Sequence, residues 1–392
     1  MVHLATLEQF LFHKCLEYSE GSDLIHTFHI PEKANGQLDI SQFVEMIRPY
    51  FNTNTHIEEM LEHYRDTSHC PATLNLIRSF ASTLTNQQVM LEFMNDSSIA
   101  VRSSVFPRNT ASNPIYILSL TALIVLSECG IREADLDGKS VIIPASLKNL
   151  IQKEAQTVYE NYFESTTGPL HMTLEKGQAV LHRYSPESCE NIVQKSIRLK
   201  RLTEALHTEE IFMDLKFNLL STAEVKQLFG ICDHDAIALA IKMHGQLVAF
   251  EPMFKALQII QSLPCEIIAI PDFLCKLALP VKKIIEALRV LAVARFEEFL
   301  SPECLQYISN YCDSLPEGEE KEELLIIWTD FLQEVRQLRY PEVSRHLYSV
   351  LRICLQKLFQ NTPNPSSESL EDHPILLWMV VFSDTFHPPT LQ

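Results

Sequence analysis

A histidine, a glutamate and two cysteines have the residue types that thiol-dependent catalysis requires. His234 lies near the start of the segment ICDHDAIALAIKMHGQLVAFEP, and Glu251 lies near its end. An imidazole can take a proton from a nucleophile, while a carboxylate fixes its tautomer and stabilises the imidazolium. A thiolate at a helix N-terminus would complete the set, because the helix dipole lowers the thiol pKa. Cys275 and Cys70 each precede a predicted helix, so both are candidate nucleophiles.

A β-hairpin is predicted to hold the histidine and the glutamate. Apolar residues alternate with small or polar ones from Ile237 to Met243, His244-Gly245 makes a turn, and Leu247–Phe250 reads as the return strand. Pro264 then breaks a helical stretch, and Cys265–Ile270 reads as a third strand. His234 is expected at the start of the first strand and Glu251 just after the second.

Most of the remaining chain has helical patterns. The fold class predicted is therefore α+β, predominantly helical, with a small antiparallel or mixed sheet around residues 231–270. Lys139–Pro144 adds a possible short strand, and Ile115–Leu126 reads as a buried core helix. Helices are predicted at about 146–164, 187–206, 208–219, 222–229, 274–300, 302–313, 320–338 and 342–360. The capping box Ser221–Glu224 opens one of them, and Ser301-Pro302 opens another.

Composition changes suggest four regions along the chain. We expect an N-terminal helical region at 1–130, an α+β core with the candidate site at 131–300, and C-terminal helices at 301–360. The stretch 361–392 contains NTPNPSSESLEDHP and is expected to be a linker and tail.

The residues from His234 to Cys275 resemble the core of the YopJ-type effectors, cysteine enzymes of the ubiquitin-like-protease clan. The similarity covers about 230–290 and rests on the histidine, on GQLVAFEP, and on QSLPCEIIAIPDFLC. It implies that His234 is the base, Glu251 its orienting acid and Cys275 the nucleophile. It further implies acetyl transfer from acetyl-CoA to a protein substrate, with inositol hexakisphosphate as activator. The same resemblance implies a bacterial effector that acts in host cytosol.

Papain-like effector proteases offer a second resemblance, in the chain order cysteine, histidine, acid. There the cysteine opens a helix, as Cys70 does in SHCPATLNLIRSF, and the histidine strand and an F-[DE]-P segment come much later. This alternative keeps His234 and Glu251 and replaces Cys275 with Cys70. The two resemblances therefore predict different nucleophiles for the same base.

Two basic groups stand out in an acidic chain. One contains Lys195, Arg198 and Arg201 at helical spacing, and the other contains Arg336, Arg339 and Arg345 near the C-terminus. If the groups converge, they could hold a polyphosphate such as inositol hexakisphosphate.

Composition excludes several classes of protein. Asp and Glu exceed Lys and Arg by 50 − 32 = 18, which disfavours general binding to nucleic acid. The ten cysteines include no CxxC pair, so no metal site is predicted, and the first residues contain no apolar signal core. The longest apolar stretch is shorter than a membrane span. We therefore expect a cytoplasmic protein with a protein substrate or partner, and the alternative to a thiol enzyme is a non-catalytic helical interaction module.

Overall fold

A computed structural model describes part of the chain in detail. The described residues are 42, 74–75, 78, 85–95, 115–164, 170–175, 178–213, 215, 221–250, 254, 265–294, 296 and 299–337. The predicted N-terminal helices before residue 74, the helix at 342–360 and the tail lie outside these residues.

The chain divides into two compact units. The smaller unit joins Met1–His63 with Met172–His182, and the larger one joins Tyr64–His171 with Arg183–Gln392. The boundaries expected at 130/131 and 300/301 both fall within the larger unit. Within the smaller unit the structure describes 42, 172–175 and 178–182.

The described part is predominantly helical, as the sequence predicts, and it contains a small sheet. In chain order, its elements are α1 Asn86–Asn95, β1 Tyr116–Leu118, α2 Leu120–Glu128, α3 Glu133–Leu136, β2 Val141–Pro144, α4 Ala145–Tyr159 with a π-helical extension Glu160–Glu164, β3 Leu170–Glu175, β4 Gln178–Arg183, α5 Pro186–Ala205, β5 His207–Glu209, α6 Thr222–Met243, β6 Gln246–Ala249, β7 Glu266–Ala269, α7 Ile270–Lys276, α8 Val281–Val293, α9 Pro302–Ser314 and α10 Glu319–Gln337.

Five strands form one sheet in the order β5-β2-β1-β6-β7, and β3 pairs with β4 in a separate two-stranded sheet. Each pairing in the five-stranded sheet is parallel, with Tyr116 opposite Val141 on one side and opposite Gln246 on the other. The predicted antiparallel or mixed sheet is therefore wrong. Counted in chain order, the strands run 3-2-1-4-5, which is the doubly wound arrangement of α/β domains.

Alternate strand residues enter two different cores, because successive side chains of a strand point to opposite faces. In β1, Tyr116 and Leu118 pack into one core, with α2, α4, α5 and α7–α10. Ile117 packs into the other core, mainly with α6. Val248 and Leu247 of β6 divide in the same way. A sheet covered on both faces explains why its strands β1 and β2 are short apolar runs without polar alternation.

The predicted first strand of the hairpin is wrong, because residues 222–243 form helix α6. The side chains from Ala236 to Ala240 are all fully buried. A helix that is buried all round shows no clear 3.6-residue period, so the alternation of large and small residues resembled a strand. Alanine is also the strongest helix former. The return strand is confirmed as β6 and the third strand as β7, but both belong to the parallel sheet.

Two glycines shape the approach of α6 to the sheet. Gly230, which follows the helix predicted at 222–229, is a kink with φ 83°, and the helix continues after it. His244 ends the helix in the left-handed conformation, and Gly245 follows directly. A Cβ atom at Gly245 would lie 2.3 Å from Cδ1 of Ile117 and 2.8 Å from the carbonyl oxygen of Ile115. Glycine is therefore required where α6 turns into β6.

Several predicted helix ends are confirmed. Ser221 and Glu224 form a capping box at the start of α6, and Ser301 caps α9 with Pro302 in its first turn. Two of the predicted helices contain a strand. The core helix at 115–126 is strand β1 followed by α2, and the helix expected at 208–219 begins instead as edge strand β5.

None of the helices in the described segments is both long and apolar enough to cross a membrane.

Candidate functional site

The carboxyl edge of the sheet between β1 and β6 is the candidate functional site. The strand order reverses there, since β1 pairs with β2 on one side and with β6 on the other. The chain leaves β1 into α2, in one core, while Phe254, beyond β6, packs in the opposite core. In open parallel sheets, ligands bind in the crevice outside the carboxyl ends of two such strands.

Helix α2 begins at this crevice, and its first turn is capped by two side chains. Ser119 precedes the helix, and its Oγ accepts a hydrogen bond from the Ala122 N–H at 3.1 Å. Asp233, from α6, accepts one from the Leu120 N–H through Oδ1 at 2.6 Å. The N–H of Leu123 already donates to the Ser119 carbonyl. Ser119 and Asp233 thus satisfy two of the amide donors that a helix N-terminus leaves without partners.

The carboxyl of Asp233 is deeply buried, with 2% of the residue exposed. Burial raises the pKa of Asp233 from an ordinary 3.8 to about 7, and the Leu120 hydrogen bond acts in the opposite direction. The group therefore changes its charge near neutral pH.

This arrangement leaves little room for an external anion. A helix N-terminus at a switch point is the usual place for a phosphate, because its N–H groups and the helix dipole favour negative charge. Here the protein's own carboxyl group takes that place, and Ser119, Thr121 and Asp233 are all buried. The α2 N-terminus is thus closed by side chains of the chain itself.

His234 lies on α6 beside Asp233 and is 1% exposed. Its Nδ1 lies 3.1 Å from Oδ1 of Asp235, while within the described segments Nε2 has no hydrogen-bond partner. The sequence placed this histidine on a strand facing a nucleophile. Instead it is held inside a helix and faces the carboxylate of the next residue, because α6 is packed on the sheet.

Cys275 is the sixth residue of the seven-residue helix α7, close to its C-terminal end. The sequence placed it before a long helix, but that helix begins at Ile270 and ends before Pro280, and α8 starts after this proline. The positive end of the α7 dipole is therefore distant from the Cys275 sulfur. The Cys275 side chain interacts with the thiol of Cys304. The other two predicted catalytic residues, Cys70 and Glu251, lie outside the described residues.

The basic residues on α5 are partly neutralised by a glutamate of α2. Lys195 Nζ lies 2.9 Å from Oε2 of Glu128, and Arg198 Nη2 lies 3.4 Å from Oε1. The Glu128 side chain is only 6% exposed, so this contact is a partly buried ion triad. Arg201 is exposed on the same helix, and Arg336 is exposed in the last turn of α10. Arg339 and Arg345 lie outside the described residues.

A second buried carboxylate also caps a helix. Glu154 of α4 accepts hydrogen bonds from the backbone N–H of Asn86 at 3.0 Å and from its side-chain amide at 2.6 Å. Arg78 lies 3.7 Å away. Burial raises the pKa of Glu154, while Asn86 and Arg78 act to lower it. Like Asp233, this carboxyl group holds together elements that are distant in sequence.

No group of three or more His, Cys, Asp or Glu side chains in the described part of the chain could hold a metal ion.

Sequence reasoning missed the capping role of Asp233. A cap supplied from 113 positions away has no local signature, unlike the Ser221–Glu224 box. The available signal was an aspartate next to an apolar run, since a buried acid must find hydrogen-bond donors.

Comparison of the chain with protein families, with curated proteins and with solved structures gave no match.

Proposed function

We propose that the chain is a non-catalytic protein–protein interaction module that binds a basic partner surface through helix α10. The observation that carries the proposal is a strip of four exposed residues along α10. Glu319, Glu322, Ile326 and Asp330 follow one another at helical spacings of three and four, so they share one side of the helix. We call these four residues the α10 strip.

The α10 strip combines charge with one large apolar side chain. Ile326 is 60% exposed although it sits among carboxylates. Within the described residues, Glu319, Glu322 and Asp330 have no ion-pair partner. An apolar anchor surrounded by charges of one sign suits a partner whose contact surface has an apolar centre and a basic rim.

The opposite face of α10 fixes the helix to the domain. Trp328 and Phe331 are fully buried in the core. At the flanks, Lys282 of α8 contacts Glu323 at 2.9 Å, and Arg289 contacts Glu334 at 2.6 Å. The α10 strip is thus presented on a rigid element, which lowers the entropy that binding would cost.

The overall charge supports a basic partner. The chain has a net charge of −18, so long-range attraction would accelerate association with a cationic surface and would weaken in salt. The closed α2 N-terminus supports a binding role over a small-molecule site at the crevice, because Asp233 already satisfies the Leu120 N–H.

The thiol-enzyme hypothesis stays a prediction from sequence. It requires His234 to reach a nucleophile, whereas its imidazole is 1% exposed and its Nδ1 faces Asp235. No contact of His234 in the described segments favours that hypothesis over the binding role.

Site-specific photocrosslinking tests the proposal. A benzophenone amino acid replaces Ile326 in one variant and Ile231 in the control, since these isoleucines are 60% and 62% exposed. After irradiation in the cells that make the protein, position 326 should give a discrete adduct with a basic protein, and position 231 should not. Combining the label with Glu322→Gln and Asp330→Asn should reduce the adduct severalfold. Equal adducts at both positions, or an adduct that persists in the neutralised variant, would contradict the proposal.

A further inference from the structure

Cys275 and Cys304 form a pair of neighbouring thiols on two helices. Cys275 is half-buried on α7, and Cys304 is fully buried in the first turn of α9. Their side chains interact, and both cysteines lie close to Tyr307. In the structure both thiols are reduced.

A second contact joins the same two helices. Ser301 Oγ donates a hydrogen bond to Oδ1 of Asp272, and the backbone N–H of Cys304 donates to Ser301 Oγ at 3.0 Å. Asp272 and Cys275 are three residues apart on α7, as are Ser301 and Cys304 at the start of α9. Asp272 and Cys275 on α7 therefore face Ser301 and Cys304 at the start of α9. Asp272 meets Ser301 through oxygen atoms, and Cys275 meets Cys304 through sulfur atoms.

The environments of the two thiols differ. The hydrogen bond with Cys275 and burial raise the pKa of Cys304, and the charges of Asp272 and Glu303 act in the same direction. The sulfur of Cys275 is also the more accessible of the two.

We infer that Cys275 and Cys304 are a site of reversible oxidation, at which a hydroperoxide converts the dithiol into a disulfide between α7 and α9. The Cys275 thiol loses its proton and its sulfur attacks the terminal peroxide oxygen, so an S–O bond forms and the O–O bond breaks. The departing oxygen takes up the proton that the thiol released and leaves as an alcohol or water. The product is a sulfenic acid at Cys275. The Cys304 sulfur then attacks the Cys275 sulfur, the S–O bond breaks, and the Cys304 proton leaves with the hydroxide as water. The peroxide gains the two electrons that the two thiols lose.

The fold brings the two thiols together. Cys275 and Cys304 interact, and the hydrogen bond from Ser301 to Asp272 joins the same two helices one turn away. Because disulfide geometry is strict, a contact formed by packed helices is a better starting point than two cysteines on loops.

Peptide mapping of the full chain after treatment with hydrogen peroxide tests this inference. We expect one disulfide, between Cys275 and Cys304, which dithiothreitol removes. In Cys304→Ser, Cys275 should accumulate as a sulfenic acid that dimedone traps. In Cys275→Ser, the oxidation of Cys304 should be lost, because that thiol is buried. Cys312→Ser is the matched control, since Cys312 lies on the same helix and is also buried; its disulfide yield should equal that of the unmodified chain.

Treatment with hydrogen peroxide should also raise the urea midpoint of the unmodified chain. It should not raise the midpoint of Cys275→Ser or of Cys304→Ser. A different cysteine pairing, a Cys275 sulfenic acid that persists beside an intact Cys304, or the absence of oxidation at Cys275 would each overturn the inference.

Discussion

The carboxyl oxygen of Asp233 lies 2.6 Å from the backbone nitrogen of Leu120, although the two residues are 113 positions apart in the sequence. This hydrogen bond joins the kinked helix α6, on one face of the sheet, to the first turn of α2, on the other. The hydrogen bond therefore lies at the carboxyl edge of the sheet, where the strand order reverses between β1 and β6. The contribution of this hydrogen bond can be measured by substituting Asp233, because asparagine has nearly the same shape as aspartate and carries no charge.

We predict that Asp233→Ala lowers the free energy of unfolding by about 1–3 kcal/mol, the usual cost of an unsatisfied buried donor or of a lost helix cap. The reason is that the Leu120 N–H stays buried without its acceptor. Urea unfolding at pH 6 measures the loss. Asp330→Ala on the exposed face of α10 is the control and should change stability by less than about 0.5 kcal/mol. Equal effects of the two substitutions would show that the cap contributes nothing.

The charge of Asp233 predicts a pH dependence of stability. Its pKa is 3.8 in an ordinary carboxyl and about 7 in the fold, so between these values the folded chain holds a proton that the unfolded chain releases. The contribution of Asp233 to stability therefore falls as pH rises from about 4 to about 7. Asp233→Asn keeps an acceptor for Leu120 and removes the charge, so it should flatten this part of the profile. Unfolding midpoints at several pH values test this, and an unchanged slope in the variant would contradict it.

We predict that Glu128 stabilises the fold and that its carboxylate competes with external anions for Lys195 and Arg198. Glu128→Gln should lower the free energy of unfolding by about 1–3 kcal/mol, because Lys195 and Arg198 both lose a charged partner. The control is Glu204→Gln, whose exposed pair with Lys200 at 3.9 Å should contribute less than about 0.5 kcal/mol.

The same variant tests the polyphosphate hypothesis. With Glu128 in place, inositol hexakisphosphate at low salt should leave the melting temperature unchanged, whereas in Glu128→Gln it should raise it. A clear rise in the unmodified chain would instead support the predicted polyphosphate site.

Gly245 is predicted to tolerate no larger residue. Gly245→Ala should cost about 1–3 kcal/mol, because the added Cβ would overlap Ile117 and the backbone of Ile115. Adding Ile117→Val removes the Cδ1 atom that lies closest, so the double variant should recover part of the loss. Additive effects of the two changes in a double-mutant cycle would contradict this steric account.

Local signals in the sequence predicted local structure well. The caps at Ser221 and Ser301 and the strands β2, β6 and β7 follow from residue types within a few positions. These features depend on hydrogen bonds and turns between near neighbours, which a sequence displays directly.

Features set by tertiary packing were not predicted. Helix α6 resembled a strand because both of its sides are buried, and only the sheet beneath it explains this burial. The parallel pairing of β1 with β6 joins segments more than a hundred residues apart, so no turn between them marks it. The strand that the sequence predicts around His234 is part of α6 for the same reason.

The central position of β1 has a consequence for synthesis of the protein. Leu118 ends this strand, but its partner β6 ends only at Ala249, and the cap of the next helix is supplied by Asp233. A ribosome adds about 5–20 residues per second, so one edge of β1 stays without its neighbour for roughly 6–26 seconds during translation. Until then, apolar residues such as Ile117 and Leu118 face solvent or a chaperone. The nascent chain should therefore remain sensitive to proteases until β6 has left the ribosomal tunnel.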